Sequence, residues 1–144
     1  MRRLSILALI LMMSAWVIAS KDSTLDDLKA RAETASPSDR ISICVEVAER
    51  ELKIADEAFT AGKVDEAQAA VKDIVTYAGK AHDAALESGK KIKGTEIAFR
   101  KMAAKLKDIK RTLSFEDQAP VEAAADQLEK LRTDLLGKMF GKGK

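Results

Sequence analysis

Two residue types that build reactive centres are almost missing: the chain has one cysteine and one histidine. A lone cysteine excludes a disulfide framework, a thiolate zinc finger and haem attachment through paired cysteines. A lone histidine excludes a multi-histidine metal site. Aromatic residues make up only 4% of the chain, which leaves little material for a base-stacking surface. Seven glycines and two prolines are too few for a collagen-like or Pro/Gly-rich disordered chain. Neither the G-x-G-x-x-G nor the Walker phosphate loop occurs. The glutamate that a helical di-iron site places three residues before its histidine is also missing, because Gly79 stands three residues before His82. Alternation with a period of two is nearly absent, so no sheet is expected.

What remains is an apolar and charged mixture. Hydrophobic residues are 47% and charged residues 33% of 144, enough for one small domain and too apolar for a wholly disordered chain. The first 19 residues read as a leader. Arg2 and Arg3 precede 16 residues without charge (4–19), and Val17-Ile18-Ala19 offers a small-residue exit. A run of that length is short of the roughly 20 residues a spanning helix needs, so a cleaved secretory signal at 1–19 is expected before an uncleaved anchor. No cysteine near the exit supports lipid attachment. Export to a periplasmic or extracellular location follows from that reading. Loss of Arg2 and Arg3 with the leader leaves 23 basic and 23 acidic residues. A net charge of zero gives no general attraction to polyanions.

Helical periodicity dominates the rest. Ile41, Val45, Ala48, Leu52, Ala55 and Phe59 recur at intervals of three and four, as do Val64, Ala67, Val71, Ile74, Ala78, Ala81 and Ala85. Ile92, Phe99, Met102, Leu106, Ile109 and Leu113 form a third stripe with Thr95 in its gap, and Val121, Ala124, Leu128, Leu131 and Leu135 a fourth. Ser36-Pro37 is a good helix start, and Gly62 and Gly89 are good stops. Asp117 is expected to cap a helix whose first turn holds Pro120. These signals predict helices near 37–61, 64–88, 91–114 and 118–139. Residues 20–36 are a linker or a short helix around Leu25, Leu28 and Ala32, and 140–144 a disordered basic tail. Short connections and matched apolar faces predict an all-α fold, an antiparallel up-down four-helix bundle over 37–139. Residues 55–71, with Ala55, Gly62-Lys63-Val64-Asp65-Glu66-Ala67 and Val71, resemble the turn of a tetratricopeptide helical hairpin. No second copy follows at that family's period of about 34 residues, so the segment is read as a plain hairpin turn.

Charge is uneven along the bundle. Between positions 90 and 111 stand nine basic residues, Lys90, Lys91, Lys93, Arg100, Lys101, Lys105, Lys107, Lys110 and Arg111, against only Glu96 and Asp108. The other three helical segments are each net acidic. Mutual charge matching between helices is the plain expectation, and an anion-facing ridge the functional one. Glu46, Glu49 and Glu51 are expected on a solvated face. Cys44 is expected as a small buried hydrophobe, with an intermolecular disulfide as the alternative. A hairpin turning at 62–63 puts Cys44 level with 81–82, which leaves a Cys44–His82 nucleophile as a hypothesis. His82 and Asp83, neighbours on a helix, are expected to diverge, leaving His82 a structural residue. Haem ligation by His82 with Met102 or Met139 is a minor reading, and no cofactor or metal is assigned.

The function expected is that of an exported, non-enzymatic helical-bundle interaction module: an adaptor, scaffold or chaperone-like contact protein. The alternatives are a lipid- or polyanion-binding protein using the basic third helix, for anionic lipid or polysaccharide, and a small-molecule or cofactor-binding bundle. Nucleic acid is disfavoured, because Phe99 lies on the apolar stripe and not among the cations. Surplus apolar surface would permit a homodimer.

Overall fold

The computed structural model describes residues 24–141; the expected leader and residues 142–144 of the expected tail lie outside the described residues. Five helices account for nearly all of the described chain: α1 (Leu25–Thr34), α2 (Pro37–Thr60), α3 (Val64–Ser88), α4 (Ile92–Arg111) and α5 (Phe115–Phe140). No strand occurs among the described residues. The fold is all-helical, with the helices packed around one apolar core.

Local chemistry explains the boundaries. Thr24 caps α1 by accepting from the Asp27 N–H at 3.1 Å. Ser36 does the same for α2 at Asp39, with Pro37 at a position that needs no N–H donor. After α2 the chain turns through Gly62 at φ +75°, and the Lys63 N–H closes the turn on the Ala58 carbonyl at 2.8 Å. That left-handed residue is cheap for glycine and lets the freed carbonyls find donors. Gly89, at φ +68°, ends α3 in the same way.

One boundary differs from expectation. α5 begins at Phe115 behind Ser114, not behind Asp117, and Pro120 lies inside the helix. The Ser114 hydroxyl donates to the Asp117 carboxylate at 2.9 Å, and the Gln118 amide donates to the Leu113 carbonyl at 3.1 Å. These bonds fasten the first turn from outside, so Pro120 in the second turn, which forfeits its own bond to the Glu116 carbonyl, does not stop the helix. Phe140, expected in a frayed tail, closes α5.

Packing follows the stripes. α2 lies most extensively on α3 and α4 on α5; α3 meets α5, and α1 lies on α2. Smaller contacts join α2 to α4 and α3 to α4, while α2 and α5 do not approach each other. Ala48, Ala55, Ala67, Ala78, Ala81 and Ala85 are wholly buried, and such small side chains allow the close α2–α3 approach. Phe99, Leu106, Val121, Leu128 and Leu135 fill the other half of the core.

α1 makes α2 a two-faced helix. Leu28 and Ala32 bury against it, and Ile43 is buried although it lies off the stripe read from the sequence. Arg40 donates to the Ala32 and Ala35 carbonyls at 3.0 and 2.9 Å, satisfying the end of α1. Glu51, expected in solvent with Glu46 and Glu49, is instead 4% exposed. Lys29 of α1 explains it: the ammonium lies 2.8 Å from Glu51 and 2.9 Å from Asp73 of α3. Burial pushes the Glu51 carboxyl above its ordinary pKa, more than the Lys29 hydrogen bond and charge pull it down. Burial also disfavours the charged form of Lys29, but its hydrogen bonds and charge contacts with both carboxylates outweigh that and hold its pKa above the ordinary lysine range. Tyr77 lies beside the same corner, with the Lys29 and Lys80 ammonium groups 5.6 and 5.0 Å from its ring centre.

Candidate functional site

The nine cations divide into two groups. Lys91 donates to the Ser38 carbonyl at 3.2 Å and the Ser42 hydroxyl at 2.7 Å, and Lys105 pairs with Asp56 at 3.1 Å, all on α2. Lys107 and Lys110 pair with Glu129 and Glu122 of α5, at 3.4 and 3.0 Å, and Arg111 holds Asp108 one turn back at 2.9 Å. Five of the nine are therefore engaged inside the fold, and three of them, Lys105, Lys107 and Lys110, are matched to acids of a neighbouring helix. Lys90, Lys93, Arg100 and Lys101 are exposed, and their charged ends have no partner among the described residues. Exposed pairs of this kind contribute about 0–1 kcal/mol each, so they set register more than stability. Glu96 differs: it is buried, and Arg132 of α5 donates to it at 2.7 Å.

α4 starts under adverse local conditions. Its N-cap, Lys91, has φ 56°, a left-handed geometry without the glycine that usually occupies it. No side chain caps the helix, and no acid stands in its first turn. Lys90, Lys91 and Lys93 gather where the helix macrodipole is already positive.

A second surface lies between α3 and α5. An open groove of about 660 Å³ is floored by Val71, Val75, Pro120 and Ala124, with Gln68 and Gln127 on its rims and Lys72 its only charge. Beyond the groove His82 of α3, 8% exposed, links the two helices. Its Nε2 lies 2.6 Å from an Asp134 oxygen and its Nδ1 2.9 Å from Asp83. The expected divergence of His82 and Asp83 is corrected here: although adjacent residues leave a helix in different directions, the ring and carboxylate reach round to meet. Both ring nitrogens face carboxylate oxygens, so neither is presented to a haem iron or a nucleophile.

Cys44 is wholly buried. Burial pushes its thiol up from the ordinary value, against the smaller opposing effects of Lys80 and Arg40. An activated nucleophile needs the opposite shift, so the Cys44–His82 hypothesis fails on both partners. Met102 lies in the core and Met139 is half-buried near the end of α5. No group of three or more metal-ligating side chains is assembled among the described residues. No described helix is long and apolar enough to cross a membrane.

The start of α5 behind Ser114, the Glu51–Lys29 pair and the α3–α5 groove escaped the sequence reading. Ser114 with Asp117 three residues on was a legible helix-start signal, though in the fold the hydroxyl bonds the Asp117 carboxylate; the other two depend on which helices meet. No family model matches the chain, and neither the curated proteins nor the solved structures hold a significant match to it.

Proposed function

We propose that the chain is an exported, non-enzymatic contact protein that receives a helical segment of a protein partner in the α3–α5 groove. The leader pattern of residues 1–19 supports export, to a periplasmic or extracellular location, with cleavage after Ala19. We also infer that consecutive helices run up and down, so that α2/α3 and α4/α5 are antiparallel hairpins laid together through α3 and α5. The three-residue connections at 61–63, 89–91 and 112–114 support that arrangement. So do Glu96–Arg132 and Lys110–Glu122, which pair opposite ends of α4 and α5.

The observation that carries the contact role is the groove itself. Two helical ridges flank an apolar floor of small and branched side chains, the shape that accepts the apolar face of an amphipathic helix. Neutral amides on the rim provide hydrogen bonds at either side, and Lys72 favours an acidic residue on the incoming segment. The test is complex formation in the exported fraction by the protein and by its Val75→Arg and Ala123→Arg variants. Loss of one defined partner in both, with retention in a Lys53→Gln control, supports the role; equal recovery in all refutes it. A chain recovered from the exported fraction with Met1 intact refutes cleavage without touching the groove.

A further inference from the structure

The outward face of α4 carries Lys93, Ile97, Arg100, Lys101 and Ala104 at helical spacing. No acid shares this face over that stretch, because Glu96, 5% exposed, is turned in to Arg132. Lys90, Lys93, Arg100 and Lys101 thus stand over solvent without a counter-charge among the described residues. Lys90 and Lys93 sit at the positive end of the helix dipole, where the fold gains nothing from them.

Two exposed rings bracket these cations. Phe115 and Phe140 are 88% and 74% exposed, the two large hydrophobic side chains that stand open among the described residues. Both belong to the edge of α5 that meets α4. Phe115 lies two turns before Glu122, the partner of Lys110; Phe140 lies three turns beyond Glu129, the partner of Lys107, and past Arg132, the partner of Glu96. The rings therefore flank opposite ends of α4. Pro120, Ala123 and Gln127, which line the groove, occupy the other side of α5.

We propose that the folded α4/α5 hairpin docks on the surface of an anionic membrane. Lys90, Lys93, Arg100 and Lys101 would meet lipid phosphates, and Phe115 and Phe140 would enter the headgroup layer. Charge complementarity names the phosphates and the rings name the lipid: aromatic side chains settle at a bilayer boundary while lysine and arginine stems lie along it with their charges outward. A soluble polyanion would engage the cations and leave both rings in water. This goes beyond the groove reading, uses another face, and stands or falls separately.

Tryptophan placed on this face reads docking directly. Phe115→Trp and Phe140→Trp chains recovered from the exported fraction, which lack Trp16 once the leader is cleaved, are titrated with phosphatidylcholine vesicles, with and without about one-third phosphatidylglycerol. Both variants should shift to the blue and be quenched by brominated lipid, on anionic vesicles only. Adding Lys93→Gln, Arg100→Gln and Lys101→Gln should raise the lipid needed for half the shift by on the order of 100-fold. The same charge change at Lys53, Lys63 and Lys72 should raise it by no more than about fivefold. Unchanged far-UV circular dichroism and melting no lower than the parent's show that the fold persists in every variant. Absence of a shift, an equal shift on neutral vesicles, equal effects of the two triple variants, or binding to a soluble sulfated polymer without a shift on vesicles would overturn the proposal.

Discussion

Replacing Lys29 by methionine isolates the tie that joins three helices. The ammonium meets Glu51 at 2.8 Å and Asp73 at 2.9 Å, and the side chains are 25%, 5% and 41% exposed, respectively. Without Lys29, Asp73 turns to water, but Glu51 has nowhere to turn. A buried charge stripped of its partner costs about 3–5 kcal/mol, and the partial exposure of Lys29 points to the lower end, about 3 kcal/mol near neutral pH. Protonation offers Glu51 an escape. Its folded pKa already lies above the ordinary carboxylate value because of burial, and losing Lys29 raises it further. The native state then holds a proton that the unfolded chain releases. This contribution to stability is fully present below the unfolded pKa of about 4.3 and is lost as pH rises through the raised folded value. The deficit of the variant against the parent at the same pH should therefore shrink between about pH 7 and about pH 4.5. Adding Glu51→Leu should recover most of it at neutral pH, since an apolar pair avoids the desolvation cost. Urea unfolding followed by far-UV circular dichroism at both pH values measures this. A deficit under about 1 kcal/mol at neutral pH, or one that acid leaves unchanged, refutes the reasoning.

Asp134→Asn removes one carboxylate from the His82 contact between α3 and α5. Because Asp134 is 61% exposed, the loss should be modest, about 1 kcal/mol, read as a lower melting temperature; a loss above about 3 kcal/mol would show that the seam depends on it far more than this geometry allows. Cys44 should resist a thiol reagent in the folded chain and react at the rate of unfolding, because it is wholly buried and its thiol is shifted away from thiolate. Rapid labelling without denaturant, measured by mass spectrometry, would contradict that placement.

The apolar stripes were legible because each needs only its own helix. Ile41, Ala48, Leu52 and Ala55 are all buried, as are Phe99, Met102, Leu106 and Ile109. Ile43, Tyr77 and Glu51 were not legible as core. Their burial depends on α1 lying over α2 and reaching α3, a tertiary fact that no local period encodes. The start of α5 was misplaced because Asp117 before Pro120 looks like a cap, while the helix starts behind Ser114 a turn earlier, with Asp117 accepting from the Ser114 hydroxyl. Charge matching was visible as opposite signs on neighbouring segments. Which cations remain unpartnered was not, because Lys105 finds Asp56 only when α4 lies in one particular register on α2.

α4 is the helix where local preference and tertiary structure disagree most. It begins on a non-glycine residue in the left-handed region, lacks a capping side chain, and crowds lysines against its own dipole. What fixes this end lies outside the helix: Lys91 reaches Ser38 and Ser42, and Arg132 holds the buried Glu96. Anions arriving at Lys90 and Lys93 would relieve the repulsion that the fold tolerates there. By linkage, a surface that binds the folded helix must also stabilise it. The end of α4 least well made for an isolated helix is thus the end that an anionic surface would complete.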